Sequence, residues 1–355
     1  MSRLLLIKTG ALGDVLRTTS LLPGLAERDA GLEVTWVTAT GAAPLLERHP
    51  LVHRILELDP ASEVQLDALA EDLGSQGFDR VLSLDDERPL CRLGTAVAAR
   101  SGAALTGACL DEAGHPTYTS DAACWFGMGL LCREGLEEAD RRKLANRRTH
   151  AELLAEVAGV RPDRPRLELS ADELARGREL AAGLVPAGAG GPLVGLNTGA
   201  GGRWTTKAMR TDEVVRMVEE LAGGDPALRF LLLGGPEERD RNADLAQRIR
   251  TQAPAAHLAE APLDLTLRGF SALVGALDLL VTSDSLALHM GVARARRVVA
   301  FFAPTSPHEI DLFGRGEKVV STAADAGSYR RDADNASLTG ARLAAAVRRQ
   351  LETLG

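Results

Sequence analysis

The pattern that most constrains this sequence is an alternation of short apolar runs with longer helical stretches, which occurs twice along the chain. In the first half the predicted strands are residues 4–8, 33–38, 54–58 and 80–84, and residues 64–73 have apolar side chains at helical spacing. In the second half they are residues 193–197, 228–233, 278–282 and 298–302, with helices over residues 212–222 and 238–250. This alternation predicts an α/β fold with two doubly wound, Rossmann-like domains.

The length of 355 residues, of which 45% are hydrophobic, also favours two domains. A helical stretch over residues 171–184 is followed by a run of Gly, Ala and Pro over residues 185–192, where the domain boundary is predicted. The predicted domains are residues 1–185 and 186–335. Residues 338–351 carry an apolar stripe at helical spacing, so the C-terminal segment 336–355 is expected to pack on the body of the protein.

Composition indicates which partners and which cellular location to expect. Asp and Glu number 49 against 41 Lys and Arg, and this net charge of -8 argues against a nucleic-acid partner. Only four apolar residues, 4–7, precede Lys8, which is too few for a signal peptide or a membrane span, so a cytoplasmic, soluble protein is expected. The cysteines have wide, irregular spacing and are expected to be free thiols, with a metal site assembled by folding as the rarer alternative: Cys91, Cys109, Cys124 and Cys132.

Three loops follow predicted strands, where open α/β sheets bind ligands. The first, residues 8–14, ends in Asp14 within the first turn of a helix, where the positive end of the helix dipole favours a carboxylate. Asp14 is therefore a candidate base, and stabilising the helix N-terminus is the alternative role. Gly10 and Gly13 lack the third glycine of a dinucleotide-binding fingerprint.

The second loop, residues 197–207, is rich in glycine and contains Thr198, Gly199 and Lys207. Bare backbone amides and cationic side chains suit a phosphate group. The spacing of a Walker loop is absent, which disfavours an ATPase or kinase of that type. A flexible connection with solvated cations is an equal alternative.

The third loop, residues 282–290, contains Ser283 and Asp284, which are good helix N-caps, and His289 about one helical turn later. Amides from Ser285 onward would face an anion above the sheet. The alternative is that Asp284 only caps the helix and His289 is a packing residue.

Other polar groups indicate less. Asp85, Glu87 and Arg88 follow the strand that ends near residue 84, and we interpret them either as acceptor-binding groups or as a solvated charged turn. The basic residues between 141 and 148 are interleaved with acidic ones, which is typical of a surface helix. The pair Asp332 and Asp334 forms a DxD string that we interpret as a solvated loop rather than a metal site.

The three loops, in this order, resemble the pattern of glycosyltransferase family 9, the ADP-heptose lipopolysaccharide heptosyltransferases. Residues 5–14, Leu-Leu-Ile-Lys-Thr-Gly-Ala-Leu-Gly-Asp, resemble the family's first strand and Gly-Asp pair, which implies that Asp14 is the catalytic base. Residues 199–207 are similar to the family's donor loop, whose lysine meets the nucleotide diphosphate. This similarity implies donor-binding roles for Thr198, Gly199 and Lys207.

Residues 284–289 resemble the family's Asp-Thr-Gly-x-x-His donor motif, which implies that Asp284, Ser285 and His289 bind the donor. The sequence departs from the family at Leu286 and Ala303, where the family has glycine.

The resemblance implies a GT-B fold with an interdomain cleft and a C-terminal helix that can pack back on the N-terminal domain. It implies an inverting, metal-independent glycosyltransferase that needs no cofactor and moves a sugar, heptose from ADP-heptose, to an acceptor hydroxyl in lipopolysaccharide or a related glycan. The expected partners are a nucleotide-sugar donor and a glycan or glycolipid acceptor, and peripheral contact with the inner membrane surface stays open. Two alternatives remain: a nucleotide-sugar epimerase of the same fold, and a degenerate nucleotide-sugar-binding protein without catalysis.

Overall fold

The computed structural model describes residues 2–185, 190–199, 201 and 204–354. The chain divides into two compact units, Met1–Glu168 and Leu169–Gly355. Each unit is built on its own six-stranded sheet. Among the described residues, no helix has both the length and the apolar character that a membrane span requires.

The sheet of the first unit has the strand order β3-β2-β1-β4-β5-β6. Five strands are parallel, and β6 pairs with β5 in the antiparallel sense. The strands are β1 (Arg3–Ile7), β2 (Glu33–Ala39), β3 (Arg54–Leu58), β4 (Arg80–Ser83), β5 (Ala104–Leu110) and β6 (Pro116–Tyr118). The α-helices are α1 (Leu12–Thr18), α2 (Leu22–Arg28), α3 (Glu63–Gly74), α4 (Arg88–Ser101), α5 (Ala123–Phe126), α6 (Leu136–Ala145) and α7 (His150–Ala158). Short 3-10 helices span Thr19–Leu21, Ala43–Leu45 and Ser120–Ala122.

Strand β1 is central and buried on both faces, which explains its continuous apolar sequence. Leu5 and Ile7 face one side and pack in a core with Leu73 of α3 and Val97 of α4. Side chains alternate along a strand, so Leu4 and Leu6, which are also fully buried, face the other side.

The sheet of the second unit has the order β12-β11-β10-β7-β8-β9, and all its strands are parallel. The strands are β7 (Leu193–Asn197), β8 (Arg229–Leu232), β9 (His257–Glu260), β10 (Leu279–Ser283), β11 (Arg297–Phe302) and β12 (Gly316–Val320). The α-helices are α8 (Ala171–Leu184), α9 (Thr211–Gly224), α10 (Arg239–Gln252), α11 (Leu267–Gly275), α12 (Leu286–Ala293) and α13 (Gly340–Glu352). Short 3-10 helices span Thr205–Lys207, Pro236–Glu238 and Pro307–Glu309.

Both sheets have the same strand order when each is read from its own first strand, and they differ in the direction of the sixth strand. Two strands lie on one side of the first strand, and the fourth strand lies on its other side. The strand order therefore reverses between β1 and β4 in one unit and between β7 and β10 in the other. Ligands of doubly wound sheets bind at the carboxyl ends of the strands at such a switch point. The predicted pair of Rossmann-like domains is confirmed.

The boundary between the units differs from the prediction. Helix α8 packs closely on α11 inside the second unit, because Gly177 lies where a Cβ atom would be 2.5 Å from the backbone of Ala272. The second unit therefore starts at Leu169, ahead of α8, rather than at residue 186. In the predicted boundary run, residues 186–189 fall outside the described ranges.

The C-terminal helix α13 packs on α9, β11 and β12 of the second unit. Leu343, Ala346 and Val347 are buried in the core of that unit, and the amide of Gly340 donates a hydrogen bond to the Glu213 carboxylate at 2.7 Å. The apolar stripe of the helix is thus buried against the core of the second unit, as expected for a segment that packs on the body of the protein.

Candidate active site

The loops after β7 and β10 meet at the switch point of the second sheet. The Asn197 side-chain amide donates to the hydroxyls of Thr282, at 3.3 Å, and Ser285, at 3.4 Å. The Ser283 hydroxyl donates to the carbonyl oxygen of Gly199 at 3.3 Å. The second and third loops identified in the sequence, which are far apart along the chain, therefore form one site.

A cation and a carboxylate lie at the centre of this site. The Lys207 ammonium donates to the backbone carbonyl and to the carboxylate of Asp284, at 2.9 Å in each case. The other carboxylate oxygen of Asp284 lies 3.8 Å from Nε2 of the buried His289. Three of the predicted donor-binding residues are thus brought together.

The interpretation of Asp284 as a helix cap is wrong. Helix α12 begins at Leu286, and its N-cap residue is Ser285, whose hydroxyl makes no capping hydrogen bond. The Ser285 hydroxyl instead lies 3.1 Å from that of Thr282. Asp284 precedes the cap and binds Lys207, so its carboxylate lies beside the helix N-terminus rather than closing it.

A cavity of about 350 Å³ opens beside these loops, a volume within the range of small-molecule sites. One wall is apolar and comes from the segment that enters α11: Leu263, Leu265, Leu267 and Phe270. Polar side chains in the lining are Asn197, Ser285 and Glu238. An apolar lining with a few polar groups suits a planar ring that carries a charged or hydroxylated extension.

Glu238 and the apolar wall are site residues that the sequence analysis missed. The Glu238 carboxylate accepts hydrogen bonds from the amides of Gly201, at 2.8 Å, and Gly235, at 2.9 Å. Gly199 has to be glycine here, because a Cβ atom would lie 2.4 Å from Cγ of Glu238. The adjacent glycines 234 and 235 after strand β8 were the available signal. In the predicted second loop, residues 200, 202 and 203 are not among those that the structure describes.

In the first unit, Asp14 lies in the first turn of α1 and forms an ion pair with Arg17. About a third of its side-chain surface is exposed, 36%. Burial by itself raises the pKa of Asp14, but Arg17, His150 and Lys8 outweigh it and hold the pKa well below its ordinary value of 3.8. Asp14 is therefore ionised at neutral pH.

Asp85 is buried and bound to the loop after β1. Its carboxylate pairs with the Lys8 ammonium and also accepts hydrogen bonds from the amide of Thr9, at 2.5 Å, and the Thr9 hydroxyl, at 2.8 Å. The loop that leads to Asp14 is therefore fixed across the switch point of the first sheet. Both carboxylate oxygens are occupied, which favours a positioning role over acceptor binding.

Glu87 and Arg88 lie at the start of α4 and are exposed. Glu87 is the N-cap residue of α4, and its side chain makes no capping hydrogen bond. The Arg88 guanidinium donates to the carbonyl oxygen of Gly114 at 3.4 Å. Both side chains are thus accessible, and their acceptor-binding role stays a prediction.

The other polar groups that the sequence analysis singled out do not form a further site. Three cations of the basic stretch form ion pairs with glutamates, namely Arg141, Arg142 and Arg148. In the DxD string, Asp332 is exposed and pairs with Arg330 at 2.9 Å. All four cysteines are free, as predicted. Within the described ranges, no group of three or more His, Cys, Asp or Glu side chains is placed to hold a metal ion.

Three solved structures illustrate what this chain is similar to. A glycosyl transferase family 9 protein from Veillonella parvula is 17% identical, with a TM-score of 0.74 over 99% of this chain and 98% of the other. Escherichia coli ADP-heptose lipopolysaccharide heptosyltransferase II is 17% identical, with a TM-score of 0.67 over 100% and 99% of the two chains. The E. coli heptosyltransferase WaaC, solved with ADP-2-deoxy-2-fluoro heptose, is 20% identical, with a TM-score of 0.58 over 99% and 100%.

These likenesses establish the fold, which is that of the two-domain GT-B glycosyltransferases. No curated protein matches the sequence. The sequence model of glycosyltransferase family 9 (heptosyltransferase) matches residues 141–337, which is more than half of the chain. The matched region includes Thr198, Lys207, Asp284 and His289. The chain therefore belongs to glycosyltransferase family 9 and is a glycosyltransferase.

Proposed function

We propose that this enzyme transfers heptose from ADP-heptose to an acceptor hydroxyl in lipopolysaccharide or a related glycan. The family description names heptosyltransferases. The similar WaaC chain was solved with an ADP-linked fluoro-heptose. The observation that carries the donor-site assignment is the cluster of Lys207, Asp284 and His289, because Ser285 and Leu286, which follow Asp284, line the cavity.

The cavity supports a nucleotide as the donor's leaving group. Its apolar wall, which includes Leu265 and Phe270, suits the faces of a nucleobase, and the polar side with Asn197 and Ser285 suits hydroxyl and phosphate oxygens. Lys207 and the first backbone amides of α12 lie where negative charge would be stabilised. We therefore place the diphosphate near Lys207 and the nucleoside in the cavity.

In the proposed reaction the acceptor oxygen attacks the anomeric carbon while the bond from that carbon to the diphosphate oxygen breaks. A single displacement of this kind inverts the anomeric configuration. Asp14 accepts the proton of the acceptor hydroxyl, and Lys207 with the α12 amides offsets the charge that grows on the diphosphate. Because these cationic and dipolar groups perform that role, we propose that no metal ion and no cofactor are needed.

Isothermal titration calorimetry tests the donor assignment directly. ADP-heptose is compared with UDP-, GDP- and ADP-linked hexoses in the presence of EDTA. Selective binding of ADP-heptose is expected, and Lys207→Ala should weaken it by at least about tenfold, because a hydrogen-bonding charge is lost. Binding of no nucleotide sugar would overturn the assignment.

Arg331→Ala is the matched control for Lys207→Ala. Both cations lie beside the ring of Trp204, with the Lys207 ammonium 5.8 Å and the Arg331 guanidinium carbon 6.0 Å from its centroid. Of these two cations, Lys207 is the one that the structure pairs with Asp284, so Arg331→Ala should leave donor affinity unchanged. An equal loss in both variants would mean that general positive charge, rather than the Lys207 contact, attracts the donor.

Two further measurements on the same protein distinguish the proposed function from its alternatives. An epimerase would convert the donor sugar with no acceptor present, which NMR of the incubated donor would detect. A degenerate binding protein would bind the donor with or without Asp14 and would transfer nothing to any acceptor.

We propose a cytoplasmic reaction on a glycan or glycolipid acceptor. A glycolipid acceptor would bring the enzyme to the inner membrane surface. Co-sedimentation with acceptor-containing vesicles, compared with vesicles that lack the acceptor, tests that contact.

A further inference from the structure

Arg241, on α10, connects the two ends of the glycine-rich donor loop. Its Nη2 atom donates to the carbonyl oxygen of Thr198, at 3.2 Å, to the Thr198 hydroxyl, at 3.3 Å, and to the carbonyl oxygen of Met209. The amide of Met209 in turn donates to the carbonyl oxygen of Thr198 at 3.1 Å. One guanidinium group therefore binds the residue where the loop leaves β7 and the residue where it turns towards α9.

The partners of Arg241 are unusual for a cation. In the ranges that the structure describes, no carboxylate lies within ion-pair distance of Arg241. Arginine stays protonated in proteins, so the partly buried guanidinium needs oxygen acceptors, and the carboxylates of Glu238 and Asp244 stabilise its charge at longer range. Thr198 and Met209 supply the acceptors, so one side chain links these two residues.

The end of the loop held by Arg241 carries Lys207. Lys207 closes the 3-10 helix Thr205–Lys207, two residues before Met209. The Asn335 side-chain amide also donates to this segment, to the carbonyl oxygens of Thr206, at 3.2 Å, and Ala208, at 3.0 Å. The backbone around Lys207 is thus held by two side chains, Arg241 and Asn335.

We infer that Arg241 is a positioning residue for donor binding: by clamping Thr198 to Met209 it sets the loop geometry in which Lys207 reaches the donor diphosphate. The inference rests on the proposed function, since it assumes that the loop binds a nucleotide diphosphate. Arg241 itself makes no contact with the donor and affects binding by holding the loop that carries Lys207.

The experiment compares Arg241→Ala and Arg241→Lys with Arg248→Ala. Arg248 lies on the same helix and binds Asp212 at the start of α9 and Asp244, both at 2.9 Å, so its loss removes a comparable surface link. Two quantities are measured: the hydrogen-exchange rate of the Met209 amide, with the β7 amides as the reference for global unfolding, and the Kd for ADP.

Arg241→Ala should speed exchange of the Met209 amide and weaken ADP binding, each by roughly tenfold, because hydrogen bonds from a charged group are lost. Exchange in β7 should not change. Arg241→Lys keeps the charge but loses the fork geometry, so it should fall between the wild type and the alanine variant. Arg248→Ala should match the wild type in both measurements.

The two failures are distinguishable. If wild-type protein binds ADP, and Lys207→Ala weakens that binding while both Arg241 variants bind like the wild type, the inference is overturned and the donor site stands. If wild-type protein does not bind ADP, the proposed function is overturned, and an unchanged Met209 exchange rate in Arg241→Ala would overturn the clamp as well. Should Arg241→Ala fail to fold, Arg241→Lys supplies the same readouts.

Discussion

The carboxylate of Asp85 accepts hydrogen bonds from both the amide and the hydroxyl of Thr9, at 2.5 and 2.8 Å. Asp85 follows β4 and Thr9 follows β1, so this contact joins the two loops at the switch point of the first sheet. Lys8, which is buried, pairs with the same carboxylate. The loop that carries the proposed base is therefore anchored by a buried charge pair.

Asp85→Asn should destabilise the protein. It leaves the buried Lys8 ammonium without its counter-charge, and breaking a buried pair on one side typically costs about 3–5 kcal/mol. Urea denaturation followed by tryptophan fluorescence would measure the loss, and Trp36 reports locally because its indole donates to the carbonyl oxygen of Lys8. Asp86→Asn is the control, with little change expected. Equal stability of Asp85→Asn and the wild type would contradict the anchoring role.

Asp14→Asn should slow transfer strongly while leaving donor binding intact. General bases contribute about 10²- to 10⁴-fold to a rate, so kcat should fall by a factor in that range. The cluster of Lys207, Asp284 and His289 belongs to the second unit, whereas Asp14 belongs to the first. Sugar transfer and ADP affinity, measured on the same preparation, test whether the variant loses transfer and keeps donor binding. Retention of full activity would remove Asp14 from the mechanism.

Arg17→Gln should alter the acid side of the pH profile. Arg17 is the main group that holds the pKa of Asp14 below 3.8, against the opposing effect of burial. Protonated Asp14 cannot accept a proton, so activity is lost as pH falls through its pKa. Without Arg17 that pKa rises, and the acid limb of kcat/KM due to Asp14 should move up by about one pH unit or more. Arg28→Gln, which removes a pair with Asp29, should leave the profile unchanged.

Native Cys91 and Cys124 should react slowly with iodoacetamide at neutral pH. Burial raises the pKa of Cys91 to about 12 and that of Cys124 to about 11, and the reactive species is the thiolate. Mass spectrometry of labelled peptides, with and without urea, would show fast labelling only in the unfolded protein. Fast labelling of Cys91 in the native state would indicate that its environment opens.

The sequence was sufficient to predict the strands with continuous apolar runs. The predicted segments 54–58 and 193–197 coincide with β3 and β7, and the others agree with the structure to within about one residue at each end. Strands β5, β6, β9 and β12 were missed. Strand β5 is interrupted by Gly107, whereas β6, β9 and β12 are short strands at sheet edges. At such edge positions, pairing with a neighbouring strand determines the conformation more than local pattern does.

Only part of the candidate site was predictable. Four candidate residues were predicted because they lie in loops that follow predicted strands, and the carboxyl ends of parallel strands lie on one edge of a sheet: Asp14, Lys207, Asp284 and His289. Glu238 and Arg241 were missed, since their importance comes from contacts with backbone groups at residues 198–209, which are distant along the chain. No local pattern encodes those contacts.

The close approach of α8 to α11 at Gly177 has a practical consequence for protein engineering. A chimaera that exchanges the second unit, the proposed donor-binding half, for that of a relative should be joined between residues 168 and 169, so that α8 stays with α11. A junction at the glycine- and proline-rich run near residue 186, although it looks like a linker, would separate two helices that share an interface. A fragment beginning at Leu169 is accordingly the better candidate for separate expression of the donor-binding half.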